Sequence, residues 1–556
     1  MAKFFEVALI HLIISLFLIT FSLSKPLHLI TSCLIDHHVT NFSVHPTTPN
    51  QSNSTSYYNL LLFSLQNLRF TEPEYPKPSL IILPQSKEQL VDSFLCSKNA
   101  GFEARIRCGG HSYEGLSSTS NDGKPFVIID VMDLDQVVMD LKLETAWVEG
   151  GATMGQVYLT VAEKTQGAYG FSGGSCPTVG SGGLISGGGF GFLSRKYGLA
   201  ADNVVDALLV GPDGRVLDRA AMGEDVFWAV RGGGGGSFGI VYAWKIKLLN
   251  VPSRVTAFQV SREGKIENIS QLVHEWQHVG PYLDDTFYLS ISLSAIEKEK
   301  DNISATFNGL YLGKKFEAIS IVNKKFPRLR IREDRYKEMS WIESVLYFSG
   351  LSEGSTVKDL RNRYLQNKNY FKAKSDYVRT AIPLEGIKGA MDFLTKEPKG
   401  MIIMDPYGGQ MARIASDSIA FPHRKGNLYS IQYLVSWEKK DDKNRDLYLT
   451  WIRKFYDFMA PFVSANPRAA YVNYLDLDLG GLNDSVVGPR RGAYDAVEKG
   501  RIWGEKYFLG NYDRLVKAKT LIDPCNLFRH AQGIPPNRSR FPKVCIDADM
   551  HPFVSL

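Results

Sequence analysis

Ser172-Gly-Gly-Ser-Cys-Pro-Thr-Val-Gly-Ser-Gly-Gly-Leu-Ile-Ser-Gly-Gly-Gly-Phe-Gly191 sets one cysteine, Cys176, beside a long backbone nearly free of side chains. Such a run can wrap a flat or phosphorylated ligand, because glycine lets main chain approach closely and offers its N–H groups. It is neither a Walker loop nor a well-formed Rossmann fingerprint. Upstream, Arg107-Cys-Gly-Gly-His-Ser-Tyr-Glu-Gly115 puts two glycines before His111. Taken alone, that stretch reads as a tight turn with a surface histidine. Downstream, Met222-Gly-Glu-Asp-Val-Phe-Trp-Ala-Val-Arg-Gly-Gly-Gly-Gly-Gly-Ser-Phe-Gly239 reads as a helix running into a glycine turn. Glycine density is high from Gly167 to Gly239 and falls after Val251, where charged and aromatic alternation takes over until Leu479. That shift marks a domain boundary.

The chain has 556 residues, enough for three or four structural units, with 44% hydrophobic and 22% charged residues, the balance of a globular protein. No interior apolar run reaches the roughly 18 residues that span a bilayer. The net charge of +6 is spread along the chain with no basic block, so nucleic acid is not an expected partner.

Met1-Ala-Lys3, an apolar stretch from Val7 to Phe21 and then Ser22-Leu-Ser24 describe a secretory signal peptide over residues 1–24, with cleavage near Ser24. No membrane association is expected after cleavage, and the destination is the apoplast or the vacuole. Sequons at Asn41, Asn50, Asn53, Asn268, Asn302, Asn483 and Asn537 are candidate glycosylation sites on that route. The six cysteines contain no CxxC pair, so no metal site is expected, and the oxidising route permits disulfides whose pairing the spacing does not give.

Locally, Ser79-Leu-Ile-Ile-Leu-Pro84, Phe126-Val-Ile-Ile-Asp130 and Thr145-Ala-Trp-Val-Glu149 read as strands. Ser86 is expected to cap a helix with Gln89 at the box position and Leu90, Val91, Phe94 and Leu95 on its apolar face. Asn50 to Tyr58 reads as a loop. The residue pattern of Tyr471-Val-Asn-Tyr474 reads as strand packing. From Gly500 the chain returns to amphipathic helix and a Pro-rich end.

Together the three glycine-rich stretches resemble the berberine bridge enzyme-like family of plant flavoproteins, within the vanillyl-alcohol-oxidase-type group. Arg195 to Val204, Phe421-Pro-His-Arg424, Tyr471 to Gly480, Trp503 to Phe508 and Asp523 to Arg529 resemble it too. The fold this implies is α+β. An FAD domain would be built from residues 25–251 and a returning C-terminal segment, 491–556. A substrate domain, 252–490, would supply an antiparallel sheet covered by helices.

The resemblance implies FAD attached twice, through His111 and Cys176. Cofactor contacts are expected from Arg107, Gly109, Gly110, Ser112, Val179, Gly180, Gly182, Gly183, Ser186, Gly187, Gly239 and Val241. It implies a disulfide between Cys33 and Cys96, and a second between Cys525 and Cys545 is an open alternative to two free thiols. Val179 falls where the family controls oxygen access, and valine there implies an oxidase. Tyr474 is the expected base, with Gln432 and Tyr113 positioning substrate. Gln432 stands where berberine bridge enzymes carry a Glu base, and Ser430 where cannabinoid synthases have a carboxylate. A tyrosine base needs its pKa drawn well below about 10 by charge or hydrogen bonds.

Several residues depart from the family pattern. Leu184 replaces a flavin-contacting His, Ser181 a Val, Phe190 an active-site Tyr, Cys108 a Ser and Leu475 an Arg. The function implied is two-electron, cyclising oxidation of a phenolic, prenylated or alkaloid plant metabolite, with O2 reduced to H2O2, by a monomer. One alternative is a redox-neutral FAD-containing Diels–Alderase acting on prenylated phenolics or chalcones, which the apolar departures would suit. The other is a secreted flavoprotein that binds or defends without turnover.

Overall fold

The computed structural model describes residues 25–46, 54–120, 123–297, 299, 301–365, 367–397, 399–482 and 492–537. The signal-peptide residues, the sequons Asn50, Asn53 and Asn483, and Cys545 lie outside them. Asn41 and Asn268 are exposed, and Asn302 and Asn537 are half-buried.

β1 (Phe42–Val44), β2 (Leu80–Ile82), β3 (Glu103–Arg107) and β4 (Phe126–Asp130) form a sheet in the order β1-β2-β4-β3. β4 runs parallel to both β2 and β3. A parallel strand is covered on both faces, which is why β4 reads as an apolar run and is buried at every position. Helix Lys87–Asn99 packs on β3 and β4, burying Leu90 and Phe94. Ser86 Oγ accepts from Gln89 N at 3.2 Å, while the Gln89 side chain accepts from Gln85 N rather than from the cap residue. Cys96 of this helix is disulfide-bonded to Cys33, with Cα atoms 5.7 Å apart. Cys525 is also disulfide-bonded.

The next region holds β5 (Val137–Asp140), β6 (Thr145–Glu149), β7 (Tyr169–Gly170), β8 (Val204–Val210), β9 (Val216–Leu217), β10 (Ile240–Lys247) and β11 (Leu249–Asn250). Five of these pair in the order β5-β6-β10-β8-β9, and β7 pairs with β11. The glycine-rich stretches join these strands. Helix Ser181–Ser186 and helix Glu224–Val230 follow their glycine runs or lead into them.

β12 (Val255–Lys265), β13 (Phe287–Ala295), β14 (Asn302–Tyr311), β15 (Lys337–Met339), β16 (Tyr370–Val378), β17 (Gly400–Pro406) and β18 (Tyr429–Trp437) make one antiparallel sheet, β15-β12-β14-β13-β17-β18-β16. Helices Ile266–Trp276, Leu384–Lys396 and Arg445–Met459 cover it. Trp276 packs edge-on against Tyr429, and Phe455 against Tyr433, so the odd-numbered residues of β18 face the helices. Strand alternation turns Ser430 and Gln432 to the opposite face. The α+β architecture, two N-terminal sheet regions and a helix-covered antiparallel sheet, is the one the sequence implied.

Arg195 ties the regions together. Its buried guanidinium donates to the carbonyls of Phe287 at 2.9 Å and Pro281 at 3.0 Å, and to those of Leu283 and Tyr407. The C-terminal helix Tyr512–Ile522 packs back on Glu224–Val230, and Lys519 Nζ donates to Ser237 O at 2.6 Å.

Two local expectations are corrected. The stretch expected to be a loop to Tyr58 enters helix Ser54–Ser64 at Ser54, because Tyr57 and Leu61, one turn apart, are buried and Tyr57 donates to Pro78 O at 2.6 Å. Tyr471–Tyr474 is not a strand: Val472–Tyr474 is a 3-10 turn, with Tyr471 buried at its start.

Candidate active site

The His111 loop lies directly on the Cys176 loop, and glycine makes this possible. A Cβ on Gly109 would sit 2.5 Å from Thr178 O and 2.7 Å from Gly180 N. Gly110 has φ of +67°, and a Cβ there would collide with the Ser64 carbonyl. Packed this way, His111 and Cys176 meet at a single hydroxyl. Thr178 Oγ1 is 2.9 Å from His111 Nε2 and 3.5 Å from Cys176 Sγ.

His111 is half-buried and engaged by the Cys176 loop rather than a free surface residue of a turn. Burial, and next the Lys368 ammonium, pull its pKa down to about 4. The imidazole is neutral at physiological pH and keeps a lone pair for bond formation. Cys176 and Val179 are both half-exposed; Val179 is thus not packed into the core.

Gly183, Gly235 and Gly236 are exposed, and a Cβ at Gly183 would meet nothing within 4 Å. A Cβ at Gly235 would lie 3.9 Å from the Gly183 Cα. The helix bearing Gly183 is tied to this glycine turn by Ser186 O, which accepts from Gly232 N and Gly234 N at 2.9 Å. The result is a stretch of exposed, side-chain-free main chain on the helix that follows the Cys176 loop.

Other expected contact residues hold the frame. Arg107 is fully buried, its Nε 2.6 Å from Asp130 and its other nitrogens on the Leu60 and Leu61 carbonyls. Ser112 Oγ accepts from Leu116 N at 3.0 Å. A Cβ on Gly180 would collide with Cys108 Sγ, one on Gly182 would lie 2.7 Å from Gly150 O, and one on Gly187 would collide with Asn473. Gly239 has φ of +149° against Val210 O, and Val241 is half-buried in β10.

The three residues expected to handle substrate come together although they are far apart in sequence. Gln432 Nε2 donates to Tyr113 OH at 2.7 Å, and the rings of Tyr113 and Tyr474 stack at 5.2 Å and 8°. Burial raises the pKa of both phenols. The polypeptide alone thus does the opposite of what a tyrosine base needs. Tyr471, which sequence reasoning left as packing, receives three N–H groups on its hydroxyl: Gly189 N at 3.0 Å, Phe190 N at 3.3 Å and Asn473 Nδ2 at 2.9 Å. Those bonds favour a phenolate, although burial still raises its pKa overall.

Phe190 stacks on Tyr407 at 5.0 Å, and Leu184 is half-buried beside Gly173 and Gly189. Sequence reasoning also missed Thr178, Tyr288 and Asp405. The visible signal for Asp405 is a carboxylate ending the apolar run Met401-Ile-Ile-Met404. An open cavity of about 460 Å³ bordered by Arg379, His423, Lys425 and Glu505 contains none of these residues. The paired His111 and Cys176, with the Tyr113 ring two residues past His111, are the candidate site.

A neutral imidazole, a thiol and a side-chain-free stretch of main chain fit a flat, phosphorylated cofactor, and the fold is that of FAD-linked oxidoreductases of the vanillyl-alcohol-oxidase type. The FAD binding domain family matches residues 78–219, and the family described as berberine and berberine like matches 470–535. The chain is 60% identical to berberine bridge enzyme-like D-2 of Nicotiana tabacum over 93% of each chain. It is 46% identical to reticuline oxidase of Papaver somniferum over 92% of each. The crystal structure of berberine bridge enzyme from Eschscholzia californica superposes with a TM-score of 0.86 at 46% identity, covering 91% of this chain and 99% of that one. The chain belongs to the berberine bridge enzyme-like family and is an FAD-dependent oxidoreductase.

Proposed function

We propose that this chain is a secreted oxidase of plant specialised metabolism that holds FAD through both His111 and Cys176. The observation that carries the reading is the meeting of these two residues at Thr178 Oγ1, beside the Tyr113–Tyr474–Gln432 cluster. Bound FAD supplies a two-electron acceptor that O2 regenerates with release of H2O2.

The residues divide the remaining work. Thr178 orients the His111 ring and keeps the two attachment atoms together. Gln432 fixes the Tyr113 hydroxyl, and Tyr113 and Phe371, in edge contact at 5.2 Å, wall the substrate's place. Tyr474 accepts the substrate's proton. Since burial holds it protonated at rest, positive charge brought in with the substrate or cofactor must lower its pKa. Half-exposed Val179 leaves a path for O2. The Cys33–Cys96 disulfide supports passage through an oxidising compartment. Exposed Asn41 and Asn268 are the favoured glycan positions.

The substrate is a phenolic, prenylated or alkaloid plant metabolite. A relative's structure is in complex with (S)-reticuline, and another relative is named a reticuline oxidase. A second reading, a redox-neutral cyclase, is favoured by one specific feature: Leu184 and Phe190 leave aromatic and aliphatic walls beside the glycine-rich main chain. Oxygen consumption and peroxide formation on a substrate panel in air test the two. Turnover with one O2 consumed and one H2O2 formed per product supports the oxidase; turnover with neither supports the cyclase.

A further inference from the structure

The sheet face that carries Gln432 also carries a carboxylate that none of the roles above employs. In the β17–β18 pairing Ile403 lies opposite Gln432 and Asp405 opposite Ser430, so Asp405 is the diagonal neighbour of Gln432 on one face. Tyr288 OH donates to Asp405 Oδ1, and among the described residues Oδ2 has no partner. Asp405 is half-buried on that face.

A carboxylate enclosed by protein is costly unless a cation meets it. Among the described residues no Lys, Arg or His pairs with Asp405. Burial pushes its pKa only to about 6, so it is still an anion at neutral pH. Its charge is felt by Tyr113, Tyr288, Tyr407, Tyr471 and Tyr474. The rings around it complete the picture. Tyr288, which holds the carboxylate, packs against Phe192 at 4.6 Å and Phe190 at 6.3 Å, and Phe190 stacks on Tyr407. An anion set among aromatic faces is the arrangement that recognises a positively charged nitrogen, by ion pairing and by cation–π attraction.

We infer that Asp405, held by Tyr288 and ringed by Phe190, Phe192 and Tyr407, is the subsite that recognises a cationic nitrogen of the bound ligand. This rests on the active-site placement proposed above. The same cation would supply positive charge close to Tyr474, whose pKa Asp405 otherwise helps to raise.

The test uses the FAD-loaded enzyme and two probes of equal shape that differ in charge: benzyltrimethylammonium and its neutral carbon analogue neopentylbenzene. Neither is a substrate, so binding, read as perturbation of the flavin absorbance, is independent of whether the protein is an oxidase. The wild type should bind the cation at least tenfold more tightly than the hydrocarbon. Asp405→Asn should weaken the cation by about 30-fold or more and leave the hydrocarbon unchanged, since loss of one partner strands the other charge. Tyr288→Phe, which keeps the charge, should retain the cation preference and guards against an Asp405→Asn protein that does not load flavin. Equal binding of the two probes by the wild type, or an undiminished preference in a flavin-loaded Asp405→Asn protein, would overturn the subsite. Oxidation of neutral phenols alongside either result would leave the oxidase reading standing without it.

Discussion

Tyr113 and Tyr474 stack face to face at 5.2 Å although 361 positions separate them, and one buried lysine fixes both. Lys372 Nζ is ion-paired with Glu114, next to Tyr113, and lies 2.7 Å from Asp476, two residues past Tyr474. Lys374 reinforces Asp476 at 2.6 Å. Asp476, Glu114 and both lysines are buried, so the cluster is stable only while its charges balance.

Lys372→Met therefore strands the Glu114 carboxylate in the interior and leaves Asp476 to Lys374 alone. It should destabilise the protein by about 3–5 kcal/mol, as removal of one partner of a buried pair does. Denaturant unfolding checks this, and a stability within the error of the wild type would contradict it. In protein that still folds, the Tyr113–Tyr474 stack should loosen and turnover fall with flavin content unchanged.

Tyr474→Phe should keep the bound flavin and lower kcat by about 10²–10⁴-fold, the range for loss of a positioned acid–base group. The sign of the pH effect follows from burial. A phenol whose pKa is raised is protonated at neutral pH, so the active, ionised fraction grows with pH. kcat/KM of the wild type should climb on the alkaline side, and that limb should be missing in Tyr474→Phe. A wild-type profile flat from pH 7 to 9 would speak against tyrosine as the base.

Thr178 supplies the test of flavin attachment. In the wild type, denaturation should leave all flavin on the polypeptide. His111→Ala and Cys176→Ala should each retain it through the remaining link, and the double variant should release it. Thr178→Val removes the hydroxyl shared by His111 and Cys176 and should slow attachment without abolishing folding. Mass spectrometry of the denatured chains reads all five.

His423 makes stability depend on pH. Its ring stacks on Tyr377 at 4.0 Å, Nε2 lies 2.9 Å from Tyr507 O, and burial pulls its pKa from 6.5 down to about 3. The unfolded chain therefore takes up the proton first as pH falls below 6.5. The histidine's contribution is complete above that value and is lost progressively as pH drops toward the folded-state value. Comparing wild type with His423→Asn, the stability difference should shrink by about 3 kcal/mol between pH 7 and pH 4. Denaturation midpoints at the two pH values measure it.

Much of this was legible in the residues. The apolar runs of β2, β4 and β6 announce themselves as strands, and the glycine-rich stretches with Cys176 and His111 mark the cofactor side. Residue types also gave Tyr113, Gln432 and Tyr474 through family motifs. What sequence could not give is convergence. Thr178 looks like any threonine until two loops bring His111 and Cys176 to it. Glu114, Lys372 and Asp476 lie in three separate segments, and only the β16 register and the turn after Tyr474 bring them together. Asp405 reads as the polar end of an apolar strand, and that no described Lys, Arg or His pairs with it is visible only with its neighbours in place. Tyr57 lies in a Ser- and Asn-rich stretch that reads as loop, while burial against Pro78 decides its helix.

Anaerobic mixing of the purified yellow protein with candidate amines, prenylated phenols and chalcones, following flavin absorbance and product mass together, tests the central claim most directly. The oxidase account predicts bleaching of the flavin in step with a product two hydrogens lighter than its substrate. A product formed while the flavin stays oxidised, with mass unchanged or equal to the sum of two substrates, would contradict it and make the chain a redox-neutral cyclase.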